Sequence, residues 1–132
     1  DFRVDMDAQE RARIQGDLEE ALQRRVNGAV KDVWGRLSDV VEHFAAKMSN
    51  EDAVFRDTTM SNLRKVVDLL PALNITDDPD LERIRADVAA TLAGYDVKDL
   101  RKDKMVRKEA ASEAQRIIED MKGFMTAFGG GA

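Results

Sequence analysis

The chain's single histidine, His43, follows Asp39 by four residues and sits beside Glu42. On a helix, positions four apart share a face, so a carboxylate and an imidazole there could supply two ligands to a divalent metal. Zinc asks for three or four. No second histidine, no HExxH run and no cysteine is present to complete the set, and a structural place at the border of an apolar stripe accounts for His43. Asp77, Asp78 and Asp80 form the densest acidic cluster, the beginning of a calcium or magnesium site. A calcium loop needs further oxygen ligands at alternating positions and a glycine turn, and both are missing. Asp78 before Pro79 reads instead as a helix start, in which the acid caps and Asp80 and Glu82 sit at the positive helix end.

Nucleophile and phosphate chemistry find no motif. Ser38, Ser49, Ser61 and Ser112 lie in no Gly-x-Ser-x-Gly elbow and no Ser-x-x-Lys arrangement. No glycine-rich loop ending in Gly-Lys exists to cradle a phosphate. Helical bundles can host paired carboxylates, but no spacing singles out a pair among the 26 acids. The reading that follows is a non-enzymatic chain with no cofactor, no metal and no small-molecule substrate.

The densest basic run is Lys98, Arg101, Lys102, Lys104, Arg107 and Lys108, interrupted by Asp99 and Asp103. Lys104, Arg107 and Lys108 share one helix face and could grip phosphates or an acidic protein surface. No aromatic is interleaved for base stacking, and the net charge of −5 opposes a general nucleic-acid coat. The alternative is pairing with acids of the same molecule. The middle of the chain offers them: residues 49–93 carry 9 acids against 5 bases, whereas residues 94–132 carry 7 against 8.

The elements that must hold these residues are helical. The 132 residues are 43% apolar and 36% charged, with 5% aromatics and two prolines. That composition suits a folded helical chain better than a sandwich, a disordered tail or a membrane protein. No apolar run approaches the ~20 residues a bilayer span needs, and no signal peptide is present, so a cytoplasmic setting is expected. The start at Asp1 suggests a processed or excised fragment.

Apolar residues from Ile14 through Leu18, Leu22, Val26, Val30, Val33, Leu37, Val40, Val41, Phe44 and Met48 recur in steps of mostly three and four, one face of a single helix over 7–48. Leu22, Val33 and Phe44 are 11 apart, as are Val26, Leu37 and Met48, a period that keeps the stripe nearly straight or lets it drift right-handed, unlike a left-handed heptad zipper. Gly16 or Gly28 could break this helix; close packing at Gly28 and Gly35 is the other reading. Ala53, Val54 and Phe55 are expected to fold back on it. A second helix runs from about Asp57 to Leu73 with Met60, Leu63, Val66, Val67 and Leu70 inward, ended or kinked by Pro71 near Leu70. Ile75 is expected as a buried plug in the loop after it. A third helix starts at Asp78-Pro79, carries Leu81, Ile84, Val88 and Leu92, and closes on Gly94 as a left-handed cap. Asp96 caps a short turn. Asp103 opens a last helix with Met105, Val106, Ala110, Ala114, Ile117, Ile118, Met121, Phe124, Met125 and Phe128 along its stripe. Residues 129–132 form a disordered tail.

The stretch Phe55-Arg56-Asp57, Asn62-Leu63 and above all Leu69-Leu70-Pro71-Ala72-Leu73-Asn74-Ile75-Thr76-Asp77-Asp78-Pro79-Asp80-Leu81-Glu82 resembles an uncharacterised family of bacterial and phage proteins. Leu100-Arg101-Lys102-Asp103 and the stretch from Arg107 to Ala114 are similar to that family's tail. The resemblance covers about the last 80 residues and part of the long helix. It implies a phage or prophage origin and a longer N-terminus, and brings no catalytic residues.

These readings combine into one all-α domain over 1–128, a bundle of one long N-terminal helix (7–48) and three shorter helices (53–128). The long helix outreaches its companions. Its leftover face, Ile14, Leu18, Leu22 and Val26, is expected to meet another chain, in a homo-oligomer or with another helical protein. Trp34, Phe44, Met48, Met60, Met105 and Met121 read as core rather than as a methionine-rich groove.

Overall fold

The computed structural model describes residues 2–126, with side chains from Asp5 onward. They form α1 (Phe2–Ser49), α2 (Asp57–Leu73), α3 (Pro79–Ala90), a 3-10 turn (Leu92–Gly94), α4 (Val97–Lys102) and α5 (Lys104–Met125). Among the described residues there is no strand, and no helix is long and apolar enough to cross a membrane. The fold is all-α with one long N-terminal helix. Phe128 and the tail 129–132 lie outside the described residues.

The long helix is unbroken. Its 48 residues extend about 72 Å at 1.5 Å per residue, and neither Gly16 nor Gly28 interrupts it. A methyl group built on Gly16, Gly28 or Gly35 would meet nothing within 4 Å. The expected close packing at Gly28 and Gly35 is therefore absent, because those positions sit off the buried stripe and face open space.

Four helices enclose the core. α1 packs on α2 and α5, and α3 closes the ring by packing on α2 and α5. The start of α5 meets the end of α1, where Arg107 bonds the Lys47 carbonyl; the end of α5 meets Trp34, whose ring lies 5.9 Å from Phe124. The two helices are thus antiparallel. On α1 the buried side chains are Val30, Val33, Trp34, Leu37, Val41, Phe44, Ala45 and Met48; facing elements contribute Leu63, Leu70, Ile84, Val88, Ala114, Ile117 and Met121. Fully burying each aliphatic side chain of this kind contributes about 2 kcal/mol. Phe55 is wholly buried with its ring edge-on to Phe44 at 5.7 Å, so the segment after α1 does fold back. Val54 beside it points outward instead, 69% exposed, since adjacent residues in an extended stretch face opposite ways.

Several local expectations change. Pro71 does not end α2 at Leu70: the helix runs through it to Leu73. Only Ala72 and Leu73 follow Pro71 in the helix, and the Asn74 amide closes the turn onto the Leu70 carbonyl at 2.9 Å. Ile75 is no plug, being 63% exposed. The loop is instead pinned by Asn74, whose side-chain oxygen accepts from the Asp78 amide and whose Nδ2 donates to the Asp78 carbonyl, with Asp77 at φ 51°. α3 ends at Ala90, with the Thr91 amide and hydroxyl both on the Asp87 carbonyl; Leu92 is buried from the following 3-10 turn, and Gly94 lies in that turn without a left-handed φ. Met105 is 76% exposed, because in the first turn of α5 it is Val106 that faces the core.

The caps fall where the acids are. Asp78 accepts from the Asp80 and Leu81 amides, Asp96 from Lys98, and Asp103 from Met105 and Val106. Each satisfies amides the helix leaves unpaired, at about 1 kcal/mol per cap.

Candidate functional site

α5 has 22 residues and spans about 33 Å. The part of α1 from Val26 to Met48 is also about 33 Å long, and it is the part that carries the core. What remains, residues 2–25, projects about 36 Å beyond the bundle. On it Met6 is 54% exposed, Ile14 48%, Leu18 60% and Leu22 58%. Each step of four residues turns about 40° around a helix, so the row Ile14, Leu18, Leu22, Val26, Val30 winds gradually onto the core-facing side. That winding explains why Val26 is only half-buried against the core while Val30 is fully in it. Of the face read from sequence, Ile14, Leu18 and Leu22 are free, and Val26 belongs to the bundle.

Little else supports this projecting stretch. Glu10 pairs with Arg13 and Gln23 donates to Asn27, both within α1, and Gly16 lowers helix propensity by about 1 kcal/mol. Helices in proteins draw most of their stability from tertiary packing of an apolar face, and this stretch has no such packing within its own bundle. Apolar rows of this size on a soluble surface mark interfaces.

The basic segment is split by the fold. The Arg101 Nε donates to the Phe55 carbonyl at 2.8 Å, and its Nη2 meets Asp57 at 2.7 Å. The Arg107 Nη2 donates to the carbonyls of Lys47 at 2.8 Å and Asn50 at 2.9 Å, and to that of Ala53. Its Nε is buried with no partner. Arg107 therefore sets a cation on the carbonyl end of α1, where the helix dipole favours one, and with Arg101 it clamps the turn between α1 and α2. Lys98, Lys102, Lys104 and Lys108 stay exposed and form no ion pair with the described residues. A shallow cavity of about 120 Å³ lies here, edged by Met48, Glu51, Lys102, Asp103, Lys104 and Lys108 together with the two arginines. Its two carboxylates offset part of the positive charge.

The acid cluster does structural work. Asp78 caps α3 through Oδ1 and accepts from the Trp34 indole N–H through Oδ2 at 3.3 Å. Asp80 pairs with Arg83 at 3.5 Å. Glu82 meets Arg85 at 2.5 Å, and that guanidinium holds its carboxyl below the usual value. His43, Asp39 and Glu42 are exposed on α1, and no three metal-ligating side chains cluster among the described residues. Arg116 joins α5 to α3 through a two-pronged contact with Asp87 at 2.8 and 2.9 Å, and also bonds Glu113 and Asp120.

Sequence reasoning missed two of these roles. A buried tryptophan N–H calls for an acceptor, yet nothing local marks Asp78, 44 residues away, as the one. Arg107 likewise reads as one cation in a basic run until the fold brings the end of α1 to it. No protein-family model, no curated protein and no solved structure matches the chain.

Proposed function

We propose that the chain is a non-enzymatic helix-docking module, whose projecting stripe Ile14, Leu18 and Leu22 packs against a helix of another chain. One observation carries this reading: three large aliphatic side chains lie 48–60% exposed on a stretch of α1 that its own bundle is too short to cover. Covering such side chains gains about 25 cal/mol per Å² of apolar surface, and the same contact would supply the tertiary packing from which protein helices draw most of their stability. The bundle behind it, whose buried core on α1 begins at Val30, acts as an anchor.

The competing reading, nucleic-acid binding through residues 98–108, draws on four exposed lysines only, since Arg101 and Arg107 are engaged with backbone carbonyls. The resemblance of residues 55–121 extends the proposal to a phage or prophage protein working in a bacterial cytoplasm.

The test is the triple variant Ile14→Gln, Leu18→Gln, Leu22→Gln, which keeps helix propensity and touches no core residue. It should leave the thermal midpoint of the bundle within a few degrees and abolish association, measured by sedimentation for self-association and by quantitative pull-down for other helical proteins. Wild type and variant behaving alike in both would refute the docking role.

A further inference from the structure

Charge changes sign in blocks along the projecting helix. From Asp5 onward, the acids Asp5, Asp7 and Glu10 are followed by Arg11 and Arg13, then three acids over 17–20, then two arginines at 24–25, all exposed. From N to C the order is minus, plus, minus, plus. A copy running the same way in register would set every block against its own sign. A copy running the opposite way presents plus, minus, plus, minus, so every block meets its opposite.

Resting on the docking role proposed above, we infer that the helix received by the stripe is the same stretch of a second copy of this chain, laid antiparallel over residues 7–25. Asp7, Arg11, Ile14, Leu18, Ala21 and Arg25 recur at alternating steps of four and three, the seam spacing of a two-stranded coil. The register that matches the charge blocks also matches this seam. It sets Ile14 on Leu18 of the second copy, Asp7 on Arg25 and Arg11 on Ala21, each layer occurring twice about a two-fold axis at position 16. Beside the seam, Glu10 meets Arg24 and Leu22 meets Ala8 of the second copy, so all three aliphatic residues of the stripe lie in or next to the contact. Such flanking and seam charges are what set partner and orientation in paired helices. The pairing is closed and self-complementary, as a two-fold dimer requires. Over so short a span a straight helix drifts only about 20° per heptad, so the contact is compatible with the 11-residue register of the other half of α1. One flaw is built in: Asp17 faces its own copy across the axis.

The chain has no cysteine, so single cysteines for spin labels can be placed at Gln9, Gln15 and Gln23, all exposed. At a rise of 1.5 Å per residue, labels at Gln9 and Gln23 should lie about 20 Å farther apart along the axis than labels at Gln15. Sedimentation velocity from about 1 to about 200 µM should show a monomer–dimer equilibrium, weakened by salt and tightened several-fold by Asp17→Asn. Equal distances at the three sites would mean a parallel pair and overturn the inference. A monomer throughout the range, with wild type and Asp17→Asn alike, would overturn the second copy as partner. The docking role then stands only if the triple glutamine variant loses capture of another helical protein, so the two failures are told apart.

Discussion

Replacing Arg107 with methionine removes the guanidinium while keeping most of the side chain's length. One nitrogen, Nη2, donates towards three backbone carbonyls, of Lys47, Asn50 and Ala53. With two hydrogens it makes at most two strong bonds at once, each worth about 1.5–3 kcal/mol for a charged donor. Two effects offset this. The unpartnered Nε–H disappears with the arginine, a relief of about 1 kcal/mol, and water can reach the carbonyl at exposed Asn50, recovering about as much again. A net loss of about 2 kcal/mol remains, which for a chain of this size lowers the midpoint by about 7 °C. Urea unfolding followed by circular dichroism reads it directly. Arg107→Lys should fall between wild type and Arg107→Met, since an ammonium keeps the attraction to the carbonyl end of α1 without reaching all three oxygens. A loss under about 0.5 kcal/mol at unchanged m-value would refute the clamp and return Arg107 to the pool of cations available for a ligand.

Asp78→Ala removes both the cap of α3 and an acceptor of the Trp34 indole, and should cost about 2–3 kcal/mol, with Trp34 fluorescence reporting a loosened indole in the folded state. Gly28→Ala and Gly35→Ala place a methyl in open space on a continuous helix and should each raise stability by about 1 kcal/mol in urea titrations; destabilisation would mean that a close contact exists there after all. Tyr95, the chain's one tyrosine, is held above its ordinary value of 10.0 by burial and by the nearby Glu109 and Glu113 carboxylates. Its stabilising contribution is therefore complete below pH 10.0 and fades as pH climbs through the higher folded-state value; phenolate absorbance should titrate later in folded than in urea-unfolded protein.

Periodicity made the long helix legible, because Val30, Val33, Leu37, Val41, Phe44 and Met48 hold their spacing through Gly35, a glycine that nothing in the core requires. The starts of α3, α4 and α5 were legible for a chemical reason: Asp78, Asp96 and Asp103 each precede a stretch whose first amides need an acceptor. Less could be read where a local rule met a tertiary choice. Pro71 has the chemistry of a helix breaker, but only Ala72 and Leu73 follow it in α2, and the Asn74 amide still closes on the Leu70 carbonyl. Ile75 is apolar, yet the pinning of its loop by Asn74 and Asp78 leaves it outside. Met105 and Val106 both fit the stripe, and only the approach of α5 to the core selects Val106. The exposed face was legible from a length comparison, the first helix against the last. What hid the structural roles of Arg107 and Asp78 was sequence distance, since their partners lie in elements far along the chain.

Hydrogen exchange as a function of protein concentration bears most directly on the claim that residues 5–25 pair with another helix. At about 1 µM their amides should exchange rapidly, and at about 200 µM they should be protected as the stripe is covered, while amides over 30–48 remain equally protected throughout. Exchange over 5–25 that is indifferent to concentration, up to saturation of the solution, would contradict the pairing of this rod with its own kind.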